Sequence, residues 1–285
     1  MKEFLTITLN GLTLGGLYFL VAAGFTLVFG LMRVVNLAHG SLYLLGGYLG
    51  WTITDATGNW FLALLVASLC VAAIGLLLQQ GLLRHIQGQD LREALVTIGV
   101  SIVVADLLLA RYGGMSYEVT APDSINGGTA VADFVYPTFR LVILGTALLI
   151  GLGLWFLLRR TRLGMIIRAG IDDRDMVSAT GINVQFTFAI VFTLGALLVG
   201  LAGVMGGTNL SVQPGADGEY LLYALIVVII GGMGSIGGAA IGALLIGLIQ
   251  QYGLAYLPTY SVLITFAIMI LVLAVRPQGI LGRQI

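Results

Sequence analysis

Residues 220–275 read YLLYALIVVIIGGMGSIGGAAIGALLIGLIQQYGLAYLPTYSVLITFAIMILVLAV, 56 residues without an Asp, Glu, Lys or Arg. As one helix this stretch would extend about 84 Å, close to three crossings of a hydrocarbon core about 30 Å thick. Two interruptions divide it, the glycine cluster 231–238 and Leu257-Pro258. Cutting there gives 220–235, 236–254 and 259–275. The pieces are continuously apolar rather than alternating at every second residue, which selects helices over a β-barrel.

The rest of the chain follows the same pattern. Residues 4–32, 56–83, 141–158 and 176–216 are also free of charge. Hydrophobic residues make up 59% of the chain and charged residues 9%, with a mean hydropathy of +1.04. A soluble domain carries about 25% charged residues, so this sequence expects lipid as its solvent. The fold class is an all-α integral membrane protein, a polytopic helical bundle of about eight to ten spans treated as one domain over 1–285. Turn and charge signals place the other spans at 9–31, 37–54, 60–83, 93–111, 140–158 and 185–207.

Charge asymmetry orients them. The segment 159–184 holds Arg159, Arg160, Arg162, Arg168 and Arg174, and is set inside. Arg84, Arg92, Arg33, Arg276 and Arg283 then also fall inside, leaving Lys2, Arg111 and Arg140 outside. Nine spans with an external N-terminus and an internal tail satisfy this count; a re-entrant 220–235 would give eight. The N-terminus does not read as a cleaved signal, because Lys2 is offset by Glu3 and the apolar run is too long. Cys70 sits alone in an apolar run, which excludes an intrachain disulfide and reads as a small buried hydrophobe. Zero formal net charge argues against a nucleic-acid partner.

A phosphate-binding loop of the Walker type needs a lysine after its glycines, and the only lysine is Lys2. Any ATP-driven step therefore belongs to another polypeptide, and this chain is expected to bind no cofactor. Two histidines, His39 and His85, and one cysteine make a zinc site a poor expectation. Asp106 is the acid that falls clearly within a span, where ionisable groups mark function by default; Arg111 or interfacial water would otherwise satisfy it. Asn36, His39 and Ser41 form a second polar group, either lining a solute path with Asp106 or capping and packing the second span.

The internal segment offers a partner surface. Asp172 can cap a short helix with Asp173, Arg174 and Asp175 in its first turn, and Gly181 can end it. With Arg162 and Arg168 these residues are the candidates for coupling to an ATPase; adhesion to lipid is the bland alternative. The external segment 112–139, with Glu118, Asp123 and Asp133, reads either as a docking loop or as ordinary solvated chain. Forty-one glycines suit close helix packing in lipid. Four-residue spacing at Gly11/Gly15, Gly46/Gly50, Gly203/Gly207 and Gly234/Gly238/Gly242 places the last three along one helix face. Such a face packs the bundle, or slides between two states.

Several stretches together resemble a known family. They are Gly30-Leu31-Met32 followed by Asn36-Leu37-Ala38-His39-Gly40, then Arg160-Thr161-Arg162-Leu163-Gly164, Gly181-Ile182-Asn183, and Gly231-Gly232-Met233-Gly234-Ser235-Ile236-Gly237-Gly238. The tail Arg276-Pro277-Gln278-Gly279-Ile280-Leu281-Gly282 completes the set. In this order they resemble the permease subunits of branched-chain amino acid ABC transporters, from about residue 10 to 282. The resemblance implies a second related permease chain, two cytoplasmic ATPase subunits that use ATP, an external solute-binding protein and a place in the cytoplasmic (inner) membrane. Relatives of this kind also import urea, amides or other small organic solutes. The general coupling pattern of such permeases, Glu-Ala-Ala then Gly after three residues, is replaced here by Arg168-Ala169-Gly170. The alternatives are an ion-coupled secondary transporter or channel, supported only by Asp106, and a membrane enzyme, for which no motif is present.

Overall fold

The computed structural model describes residues 2–32, 35–131, 134–172 and 174–282. Among the described residues, nine helices of fifteen residues or more occupy the predicted segments. They are α1 (Lys2–Met32), α2 (His39–Thr57), α3 (Trp60–Gly81), α4 (Asp90–Tyr112), α5 (Thr138–Arg160), α8 (Val184–Leu210), α9 (Ala216–Gly231), α10 (Ile236–Tyr256) and α11 (Ser261–Val275). Two short helices, α6 (Arg162–Asp172) and α7 (Arg174–Ala179), fill the segment expected inside. The external segment holds a hairpin of β1 (Gly128–Val131) and β2 (Phe134–Pro137), paired antiparallel with Thr129 opposite Tyr136. It was read from sequence only as a loop.

Local chemistry sets the corners. Asn59 Oδ1 accepts from Leu62 N, Asn183 Oδ1 from Phe186 N and Ser235 Oγ from Gly238 N. Each satisfies an amide left unpaired at a helix start. The break at Leu257-Pro258 becomes a single 3₁₀ turn, Pro258–Tyr260, between α10 and α11.

Seven helical segments are long and apolar enough to cross a membrane: those built on α1, α3, α4, α5, α8, α10 and α11. The nine sequence segments thus divide into seven candidate spans and two helices, α2 and α9, that do not meet the joint measure of length and apolarity. With 16 residues, α9 extends about 24 Å. It doubles back on α10, with Gly231 against Gly238 and the Val227 carbonyl against Gly242.

Among the candidate spans, α1 and α8 are the most buried, while α4, α5 and α11 form the rim. In the two halves the order repeats, with a long buried helix, a short one, then two more. Packing repeats with it: α1 lies along α10, and α8 along α3. Both pairs are antiparallel, since Gly11 is beside Leu248 and Gly30 beside Gly234, while Gly75 is beside Ala196 and Trp60 bonds Thr208. The halves meet where α1 crosses α8, at Gly24 and Gly195, whose backbones touch reciprocally. With the basic segments inside, α1 and α8 run in opposite senses, the arrangement of an inverted repeat.

Two expectations are corrected here. Gly234 is not on the helix with Gly238 and Gly242; it sits in the α9–α10 elbow at φ +80° and touches Gly30 of α1. A positive φ, open to glycine without a Cβ clash, is what the elbow needs there. Cys70 is exposed on the rim face of α3 rather than buried, where an apolar bundle surface meets lipid at no cost.

Candidate functional site

Three places carry the residues singled out from sequence. The first is the α1–α2 corner, which brings Asn36, His39 and Ser41 together in the interior. Asn36 Oδ1 accepts from Ala38 N, and Ser41 Oγ donates to the Ala38 carbonyl. His39 Nε2 lies 2.9 Å from the Val21 carbonyl in the middle of α1, with its ring edge-on to Phe25. All three are buried and bonded to backbone, which packs and closes the corner, but no side chain caps α2, whose N-cap residue is Ala38. Asp106 is not with them. It is exposed on α4, beside the exposed Val103 and Leu107. Arg111 lies over the Tyr112 ring, 5.4 Å from its centroid, and forms no ion pair with Asp106.

The acid that is buried, among the described residues, is Glu93. Its Oε1 accepts from Gly88 N, closing the turn before α4. It shares a face with Thr97, whose Oγ1 accepts from Leu37 N. The four-residue spacing of Glu93 and Thr97 was the available signal, hidden because 93 marked the edge of a predicted span.

The second place is the internal segment. Thr161 Oγ1 accepts from Gly164 N and so caps α6. Gly164 packs on the Leu157 and Leu158 backbone, leaving no room for a side chain. Gly164, Ile167 and Gly170 form the buried face of α6, and Arg162 and Met165 the exposed one. Asp172 is the last residue of α6, and Arg174 and Asp175 open α7. Asp173 lies outside the described residues, as does external Asp133. Gly181 ends α7 at φ +83°, as expected of a helix stop.

The third place was not foreseen. A cavity of about 1970 Å³ runs between α1, α5 and α10 and ends against α6, the α9–α10 elbow and the tail. Phe19, Leu27, Leu148, Leu152 and Trp155 line its length. Arg159, Arg168, Met233–Gly237, Pro277, Gln278, Leu281 and Gly282 surround one end. There the tail is held tightly, with Ile280 N donating to the Ile230 carbonyl at 2.8 Å and Leu281 N to the Gly231 carbonyl at 3.0 Å. These bonds satisfy the last carbonyls of α9. Gly232 and Gly279, both at positive φ, approach each other without room for a Cβ. Two motifs more than 40 residues apart in the chain therefore form one wall. Gly234 belongs to that wall, and Gly238 and Gly242 hold α10 to α9 behind it.

At the opposite end the external segment is strapped to the bundle. Tyr117 and Val212 exchange backbone bonds at 2.9 and 2.7 Å, and Val119 N donates to the Gly207 carbonyl. The rings of Tyr48, Trp51, Tyr112 and Tyr117 pack together beneath it.

A bundle of seven candidate spans with an amphipathic helix at the basic end of a long cavity suits a membrane passage. The family model described as "Branched-chain amino acid transport system / permease component" matches residues 7–273. The chain belongs to this family. It is a multi-pass membrane permease. It is 35% identical over 298 residues to the high-affinity branched-chain amino acid transport system permease protein LivH of Escherichia coli, covering 98% of this permease and 96% of LivH. Identity is 32% to BraD of Pseudomonas aeruginosa, a permease protein of the same description, over 99% of this chain and 96% of that one. The ribose import permease protein RbsC of Escherichia coli is 31% identical over 271 residues, covering 88% and 79%. No solved structure matches the permease.

Proposed function

We propose that this permease is the membrane passage of an ABC importer for branched-chain amino acids. Near-full-length similarity to LivH and BraD supports the solute class. The observation that carries the mechanism is the cavity between α1, α5 and α10, walled at its basic end by α6. A second permease chain would close its open side and complete the path. Two ATPase subunits would bear on α6 and α7 from the cytoplasm of a cell whose inner membrane holds the complex. An external binding protein would deliver solute near the strapped segment 113–137.

Coupling follows from packing. Ile167 and Arg168 belong to α6 and also line the cavity, so a push on the exposed face of α6 moves the passage wall without an intermediary. Thr161 and Gly164 fix α6 against the end of α5. ATP is bound and hydrolysed by the partners, since the one lysine here is Lys2. The test is purification of the native complex, identification of its partners by mass spectrometry, and uptake in reconstituted vesicles. Uptake that requires ATP and the ATPase subunits supports the reading. Uptake driven by a proton or sodium gradient in their absence refutes it.

A further inference from the structure

The cavity changes chemical character at its basic end. Along its length the lining is mostly apolar, and besides the indole of Trp155 five lining side chains carry polar groups by nature: Thr26, Arg159, Arg168, Ser235 and Gln278. Two of the five are committed to the fold. Thr26 Oγ1 donates to the Ala22 carbonyl, and Ser235 Oγ accepts from Gly238 N. The other three gather where α5 ends, α6 passes and the tail begins. Among the residues whose side chains are described, no Asp or Glu lines the cavity and no carboxylate pairs with Arg159 or Arg168. Arg159 instead lies over the ring of Trp155, one helical turn away, with its guanidinium carbon 5.6 Å from the centroid.

Two guanidinium groups lining the same end of an apolar cavity make that end favourable for an anion. A guanidinium presents its donors in a planar fork that fits a carboxylate with two parallel bonds. Stacking on Trp155 holds the Arg159 fork in place before any ligand arrives. The complementary ligand has a carboxylate and a compact apolar body, because the charged end of the cavity adjoins Trp155, Leu158 and Ile167.

We propose that Arg159 and Arg168 form an exit-side site for the carboxylate of an apolar amino acid, whose side chain rests on the apolar wall beside them. The proposal rests on the reading of the cavity as the solute path and adds the group by which solute is held there. A pentose has no such group, so the site would separate the two solute classes named among the relatives.

The test uses the complex isolated from its native membrane and reconstituted in phosphatidylcholine vesicles, with ATP inside and binding protein outside. The vesicles are loaded with leucine or with leucinamide, which lacks the carboxylate, and labelled-leucine uptake is followed. Internal ligand reaches the exit side directly, bypassing the binding protein. Internal leucine should slow uptake several-fold at loads where leucinamide does not. R159Q/R168Q should abolish that difference, since each charged hydrogen-bonding pair lost weakens binding by roughly tenfold or more. R159K/R168K should retain part of it. If the double variant does not assemble, R159Q alone, at the exposed end of α5, carries the comparison. Equal slowing by both compounds, no slowing by either, or undiminished discrimination in the glutamine variants overturns the site. So does wild-type uptake that depends on added anionic phosphatidylglycerol, with that dependence lost in R159Q/R168Q; the guanidiniums then hold a lipid headgroup. A wild-type complex that takes up no leucine at all overturns the solute class itself, a different failure from the preceding ones.

Discussion

Consider Gly24→Ala, at the point where the two halves of the bundle cross. A methyl placed there would lie 2.6 Å from the Gly195 carbonyl oxygen and 3.2 Å from Cε1 of His39. Ordinary non-bonded contact is about 3.5 Å, so the backbones of α1 and α8 must part by roughly 0.9 Å. The obstacle is helix backbone, which cannot rotate away as a side-chain end can. Overpacking of this kind costs about 1–3 kcal/mol, and a carbonyl obstacle argues for the upper half of that range. Gly99→Ala is the control, because nothing lies within 4 Å of a methyl there. Both changes gain the same helix propensity, up to about 1 kcal/mol, so the difference between them isolates the crossing. At roughly 2–4 °C per kcal/mol for a chain of this size, Gly24→Ala should melt about 4–12 °C below Gly99→Ala in detergent. Equal melting temperatures would show that α1 and α8 do not meet as closely as described, and the two-halves packing would fail with them.

Two further outcomes follow from the corners. Thr161→Val removes the α6 cap and should cost about 1 kcal/mol locally, read as faster amide exchange in 162–172 and reduced ATP-coupled uptake; unchanged exchange would remove Thr161 from the coupling path. His39→Leu deletes the bond to the Val21 carbonyl and should lower stability by about 1–3 kcal/mol, with His39→Gln recovering part of it. A loss of transport in His39→Leu without loss of stability would instead return His39 to the solute path.

Much of the fold was legible because lipid enforces long apolar helices. The breaks at 231–238 and Leu257-Pro258 and the stop at Gly181 are local, and local chemistry is written in sequence. What failed was facing. A helix apolar on every side carries no moment, so Asp106 gave no sign that it points outward on α4, nor Cys70 that it lies on the rim. Gly234 kept a four-residue spacing with Gly238 and Gly242 while standing off the helix, because spacing alone does not report φ. The cavity was invisible for the same reason. Its walls come from α1, α5, α10 and the tail, and only tertiary packing brings them together. Arg168 stands out in the sequence as a coupling candidate and also lines the cavity, whereas Arg159, which lines it too, reads there only as part of the general basic bias of the inner side.

The bonds from Ile280 and Leu281 to Ile230 and Gly231 have a consequence for how the permease is made. The end of α9 emerges from the ribosome about 50 residues before the amides that complete it. Until residues 277–282 arrive, α9 and α10 have an elbow with open carbonyls and a cavity lacking one wall. The inner end is therefore finished only after α1 to α11 have all been made. A chain cut short after Arg276 would insert all its helices and still present an unfinished face to the quality-control machinery of the cell.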